Sequence, residues 1–265
     1  LDRCEVTPTK QRAARSSDPT IERLLARLQK LGSAENRAGM ARYAIPSEHA
    51  FGVRADQIRA LARQSGRDHE RALALWETGW HEARILACLI ADPQRLTSRQ
   101  MDAWCRQFDN WATCDSACFH LFDRSPLAWG KVKSWSTRRR EFERRAGFAL
   151  LASLAVHDKQ EPDARFLLSL GWIEAAADDE RNFVKKAVNW ALRSIGKRNP
   201  RLHQAALATA TALADQPSKS ACWIGKDALR ELKNQAVVQR IVAAEQKRTA
   251  AAAKRPAPRS RILSG

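Results

Sequence analysis

The stretch Arg181-Asn182-Phe183-Val184-Lys185-Lys186-Ala187-Val188-Asn189-Trp190-Ala191-Leu192-Arg193-Ser194-Ile195 decides the fold class. Val184, Ala187, Val188, Ala191 and Ile195 fall on helical spacing and lie along one face, a pattern no half-buried strand produces. Asn199-Pro200 then acts as a stop-start signal that ends this segment and opens another. Working outward, Ile21, Leu24, Leu25, Leu28 and Leu31 trace a second stripe. Further stripes start at Ile58, Leu61 and Ala62, at Leu73, Leu75 and Trp76, at Phe148, Leu150, Leu151 and Leu154, and at Phe166, Leu167, Leu170 and Ile173. Alternating β-branched runs are missing, so an all-α chain is expected.

The breaks between stripes are short: Gly66-Arg67-Asp68, Asp92-Pro93, Ser125-Pro126, Glu161-Pro162-Asp163, Asn199-Pro200 and Gln216-Pro217-Ser218. Several carry a Ser or Asp able to cap the next helix. About a dozen helices joined by tight turns is the layout of paired-helix repeats. The expectation is a HEAT-like helical-repeat α-solenoid with degenerate repeats and a concave basic face; a compact helical bundle is the alternative. The folded body is placed at 20–235, with a flexible extension at 1–19 and a basic, disordered tail at 236–265.

Charge is the strongest compositional signal. Among 265 residues, 46 Lys and Arg oppose 29 Asp and Glu, a formal charge of +17. That excess points to an anionic partner, with nucleic acid ahead of a membrane surface because no basic amphipathic helix with an aromatic face stands out. No run approaches the roughly 20 apolar residues of a membrane span, and residues 1–20 lack the apolar centre of a secretory signal. An intracellular protein, cytoplasmic if bacterial, and a monomer are the expectations. The six cysteines lack a Cys-x-x-Cys pair. Reduced, mostly buried thiols are expected over zinc held by Cys114, Cys118 and His120.

Nine tryptophans accompany a single tyrosine. Trp76, Trp80, Trp104, Trp172 and Trp223 fall near apolar stripes and are expected to pack between helices. Trp111 and Trp190 are embedded among polar neighbours. Trp111 and Asp115 stand at i,i+4, which puts an indole beside a carboxylate on one helix face. Lys186, Asn189, Trp190 and Arg193 share another face, suited to phosphate and sugar contact unless it is simply solvated. Ser136 to Ala146 holds five arginines, and Arg144 or Arg145 is expected to grip phosphate. An ionised Asp115 beside two indoles could stabilise a cationic centre such as an oxocarbenium; a structural Asp–Arg pair is the plainer alternative.

Four segments together resemble the DNA alkylation repair proteins of the AlkD type, the HEAT-like-repeat DNA glycosylases. They are Met40-Ala41-Arg42-Tyr43 with Phe51-Gly52-Val53-Arg54, Trp111-x-x-x-Asp115, Arg144-Arg145-Ala146, and Phe183 to Arg193 with Asn199-Pro200. The resemblance spans about Ile21 to Leu232. It implies that Tyr43, Trp111 and Trp190 form an aromatic cleft against the deoxyribose, that Asp115 stabilises the oxocarbenium and orients water, and that Arg144 holds a phosphate. Arg145, Lys185, Lys186, Asn189, Arg193 and Arg54 complete the expected DNA-binding set. The implied activity is excision of cationic N3- and N7-alkylpurines from duplex DNA, with no metal or other cofactor and no obligatory base-flipping pocket. A non-catalytic DNA-binding solenoid for bent or branched DNA and a protein scaffold are the competing readings.

Overall fold

A computed structural model of the chain describes residues 19–253. The described residues hold fourteen α-helices and two 3-10 turns joined by loops, and contain no strand. The helices are α1 (Pro19–Leu31), α2 (Ala34–Met40), α3 (Ala55–Ser65), α4 (His69–Glu77), α5 (His81–Ile90), α6 (Ser98–Arg106) and α7 (Trp111–His120). They continue as α8 (Ala128–Trp135), α9 (Glu141–His157), α10 (Asp163–Glu174), α11 (Asn182–Gly196), α12 (Pro200–Ala214), α13 (Lys219–Leu232) and α14 (Gln235–Ala253). The 3-10 turns are Ala41–Tyr43 and Phe122–Arg124. No described helix is long and apolar enough to cross a membrane.

Sequence punctuation acts where chemistry predicts. Asp68 accepts from Arg71 N–H, Asn110 from Thr113, Asn199 from Leu202 and Ser218 from Ala221. Each side chain satisfies one of the N–H groups that a first turn leaves free. Thr97 and Gln100 close a reciprocal capping box.

The odd-numbered helices from α3 to α13 stack in order, each packing on the next, so α3, α5, α7, α9, α11 and α13 form one layer. Even-numbered helices cover the other side, with α4 against α5, α8 against α9, and α12 against α13. Polar links join each repeat to the next. Lys131 reaches Asp102 over 29 residues, Arg145 reaches Asp115 over 30, and Asn189 reaches Asp227 over 38. Each unit therefore touches its neighbours and little else, as in a solenoid.

The centre of the stack is α9, whose buried residues run from Phe148 to Ala155 without interruption. A helix apolar all round must be covered all round. It lies close to the end of α8: a Cβ at Gly147 would stand 2.5 Å from the Ser136 backbone nitrogen. Toward the N-terminus, Trp76 and Trp104 stack with centroids 3.9 Å apart and planes 3° from parallel. Trp223 departs from the expected packing role and is 39% exposed. The expected structureless tail from 236 also needs correction as far as residue 253. Those residues are helical, and Val237 and Ile241, one turn apart, bury themselves as α14 packs on α12 and α13. Residues 254–265 and the extension 1–18 lie outside the described residues.

Between α6 and α8 sits a polar knot. Asp102 accepts from Lys131 Nζ at 2.7 Å, Trp135 Nε1 at 2.8 Å and Arg138 at 2.7 Å. Burial works against its charge, but these hydrogen bonds and the two cations outweigh it and hold the carboxyl below its ordinary value. Replacing Asp102 with Ala leaves Lys131, which is 7% exposed, without its counter-charge and with only the Ser98 oxygens as acceptors. The expected cost in chemical denaturation is about 3 kcal/mol. Because the folded pKa is lowered, this contribution is complete above the ~3.9 of a free aspartate and is lost as pH falls through the folded value.

Candidate active site

Asn110 starts α7 by capping Thr113 N–H at 3.0 Å, and that start fixes which residues face outward. Cys114, Ala117 and Cys118 turn inward, and their small size lets α7 settle on α9. The Cys114 Sγ lies 3.8 Å from the Phe142 carbonyl and Cys118 Sγ lies 3.5 Å from that of Ala146. Trp111, Asp115, Ser116, Phe119 and His120 face a cleft of about 680 Å³ on the odd-numbered layer. Tyr43, Arg54, Arg59, Glu82, Ile85, Leu89 and Trp190 complete much of its wall. Tyr43, Trp111, Asp115 and Trp190, far apart in sequence, therefore share one cavity.

Asp115 is gripped end-on. Arg145 Nε donates to Oδ1 at 2.9 Å and Nη2 to Oδ2 at 2.6 Å, while Nη1 donates to the Phe183 carbonyl at 2.7 Å. Burial pushes the Asp115 carboxyl above its ordinary value, and the charge and hydrogen bonds of Arg145 pull against that rise. Burial would likewise lower the Arg145 pKa, yet Asp115 raises it, so the guanidinium stays charged. A carboxylate offers about four lone-pair directions. Arg145 occupies two, and the side chain keeps 20% of its surface open to the cleft.

The indoles are held by different means. Trp111 Nε1 donates to the Tyr43 carbonyl at 2.8 Å, which ties the turn after α2 to α7. The Tyr43 side chain is 67% exposed at the cleft edge. Trp190 stacks on Phe119, centroids 6.1 Å apart and planes 21° from parallel. Phe119 in turn meets His157 edge-on at 4.3 Å, and His157 pairs with buried Asp123. The indole face of Trp190 is thus backed by a fixed aromatic column.

The expected DNA-contact residues divide. Arg54 is exposed at the cleft and pairs with Asp56 at 3.1 Å. Lys186 is exposed on α11. The expected polar face around Trp190 is otherwise used inside the protein: Asn189 is buried and donates to Asp227 at 2.7 Å, and Arg193 pairs with Glu231. Lys185 lies 5.2 Å over the Trp223 ring. Arg144 and Arg145, the two phosphate-gripping candidates, both make ion pairs inside the protein. Arg144 donates to Asp179 at 2.8 Å and to the Ser136 carbonyl, and lines a different pocket. Arg145, 6% exposed, is committed to Asp115. Consecutive helical residues point about 100° apart, so the two could not share one role.

Sequence reasoning missed several wall residues. Phe119 and His120 follow Asp115 by four and five positions, so helical spacing from Asp115 could have found them. Burial, with Arg124 and Arg59 nearby, lowers the His120 pKa. Glu82 gave no signal. It is 1% exposed and accepts three backbone N–H groups, from Phe51 at 2.9 Å, Gly52 at 2.7 Å and Val53 at 3.1 Å. This carboxylate moulds the loop that forms one lip of the cleft. Gly52 sits at φ +79°, and a Cβ there would meet the Ser33 carbonyl oxygen at 2.3 Å. Its neighbour in the motif, Arg54, gains its position from that fold.

Glu82→Gln should therefore be costly despite its equal size, because an amide offers one oxygen and an NH₂ to three N–H donors. The expected loss is about 2 kcal/mol in thermal or denaturant unfolding. Faster amide exchange at Gly52 and Val53 would locate the damage in the loop.

A sequence profile described as DNA alkylation repair enzyme matches residues 24–232, from the first helix to the last residue of α13. Among solved structures, one is described as a new family of proteins related to the HEAT-like repeat DNA glycosylases with affinity for branched DNA structures. It superposes with a TM-score of 0.67 at 19% identity, covering 80% of this chain and 94% of that one. At that identity the likeness speaks for the fold, a HEAT-like helical repeat. No curated protein matches the chain. Since the matched span covers most of the chain and takes in every residue that lines the cleft, the chain belongs to the DNA alkylation repair enzyme family.

Proposed function

We propose that this chain is a monofunctional DNA glycosylase that hydrolyses the N-glycosidic bond of cationic N3- and N7-alkylpurines in duplex DNA. The observation that carries the reading is Asp115, held by Arg145 yet open to a cleft that also contains Tyr43, Trp111 and Trp190. In such a substrate the C1′–N bond breaks with both electrons passing to the base, whose positive charge is thereby cancelled. The leaving base needs no proton, so no general acid is required. Positive charge moves to C1′ and the ring oxygen, water adds to C1′, and its proton passes to Asp115 or to solvent. The products are a free base and an abasic site.

Magnitudes assign the roles. A carboxylate ~4 Å from the developing charge contributes ~4 kcal/mol at an effective dielectric near 20. The Arg145 guanidinium, on the far side at roughly twice that distance, opposes it by ~2 kcal/mol. The remaining ~2 kcal/mol amounts to about thirtyfold in rate. Indole faces add roughly 0.5–2 kcal/mol each when a cation is desolvated over them. Arg145 is thus a positioning residue that keeps a buried Asp115 ionised and fixed, at the expense of part of its field.

A second reading, a DNA-binding protein without base release, is favoured by the same ion pair, since both Asp115 oxygens already have a donor. Assay of 7-methylguanine and 3-methyladenine release from methylated duplex DNA separates the two. Unmodified protein is expected to release base, and Asp115→Asn to lose at least about thirtyfold with affinity for DNA nearly unchanged. Binding without release in folded protein establishes the second reading. Because burial raises the Asp115 carboxyl, release is expected to decline on acidification at a pH above the ~3.9 of free aspartate. That acidic limb should vanish from whatever activity Asp115→Asn retains.

A further inference from the structure

Trp223 is the exposed indole that the cleft does not account for. It is 39% exposed on α13, and Lys185 of α11 sits 5.2 Å over its ring. Lys219, Trp223, Lys226 and Arg230 follow one another at steps of four, three and four residues, so they form a single exposed stripe. The carboxylates bordering that stripe are consumed. Asp227 is taken by Asn189, Arg193 and Arg230, and Glu231 by Arg193 and Lys197. No ion pair is formed by Lys185, Lys186, Lys219 or Lys226 among the described residues. The result is a solvent-facing aromatic platform flanked by cations of one sign.

The stripe adjoins the cleft. Lys186 stands four residues before Trp190, hence on the same face of α11, and α13 is the next helix in the layer. Packed helices lie roughly 8–10 Å apart, which is about three base-pair steps at 3.4 Å. A strand leaving the cleft past Trp190 and Lys186 would reach Trp223 within that distance. An indole beside unpaired lysines suits a base that has left the duplex: its flat face stacks on the ring while the flanking phosphates meet the cations. Bases inside an intact duplex present no free face.

We propose that Trp223, with Lys185, Lys219 and Lys226, is a stacking site for an unpaired nucleotide of the bound DNA, separate from the cleft. The site rests on the reading that DNA is the partner, but not on base release. Binding to a labelled blunt duplex and to the same duplex bearing a short oligothymidine flap, measured by fluorescence anisotropy on the full chain, tests it. Unmodified protein prefers the flapped duplex. Trp223→Ala removes that preference, weakening flap binding about tenfold while changing blunt-duplex binding little, and Trp223→Phe keeps most of it. Lys219→Ala and Lys226→Ala each lower the salt slope of flap binding by about one.

A 2-aminopurine placed in the flap gives a readout independent of any variant's folding, and its fluorescence is quenched when it stacks on the indole. No quenching, no preference for the flap, or equal losses on both DNAs with Trp223→Ala would overturn the site; the last two outcomes assign the indole to general packing or to a protein partner. Base release from methylated blunt duplex is followed in the same preparations and survives Trp223→Ala. A chain that prefers flaps but releases no base refutes the glycosylase alone, and one that releases base without flap preference refutes this site alone.

Discussion

One guanidinium holds the working part of this molecule together. Arg145 of α9 donates twice to Asp115 of α7 and once to the carbonyl of Phe183 at the start of α11. Three consecutive helices of one layer therefore meet at a single buried cation. An arginine with 6% exposure must be paired, because an isolated buried charge costs several kcal/mol. That constraint makes an acid at position 115 as much a requirement of the stack as of any chemistry. It also fixes the carboxylate's direction, so the two oxygens cannot drift from the cleft wall.

The same geometry explains why an enzyme built this way would be selective for cationic bases. A neutral ion pair has a short-ranged field, and it helps only a charge that develops close to its carboxylate end. Aromatic faces add a contribution that depends on positive charge and falls away for neutral substrates. The described site pairs its second carboxylate, Glu82, with three backbone N–H groups, so that group is committed to shaping the loop. A base that is already cationic leaves without being protonated, so this arrangement has no need to spend a cleft side chain as a general acid.

Much of the architecture was legible in the sequence because helical periodicity and cap chemistry are local. The stripe at Val184–Ile195 and the Asn199-Pro200 start both appear where the spacing put them. Trp111 and Asp115 could be placed on one face by counting residues. What could not be read is pairing across repeats. Arg144 and Arg145 are indistinguishable in composition, and only the packing of α9 decides that one meets Asp179 and the other Asp115. Asn189 and Arg193 looked like a free polar face because Asp227 and Glu231, which accept from them, lie 38 residues away. Trp223 looked like core because apolar neighbours surround it in sequence, yet its turn of α13 faces outward. Residues after 235 looked like part of the basic tail that follows them, yet two side chains one turn apart, Val237 and Ile241, bury themselves and seat a helix.

The central claim is that positive charge on the base, and not its shape, is what the cleft acts upon. The most direct measurement compares release of 7-methylguanine from duplex DNA with release of 7-deaza-7-methylguanine, a near-isostere that lacks the charge. The account predicts release of the first and none detectable of the second, with both duplexes bound alike. Comparable release of the two, or release of neither by folded protein that binds both, would contradict it.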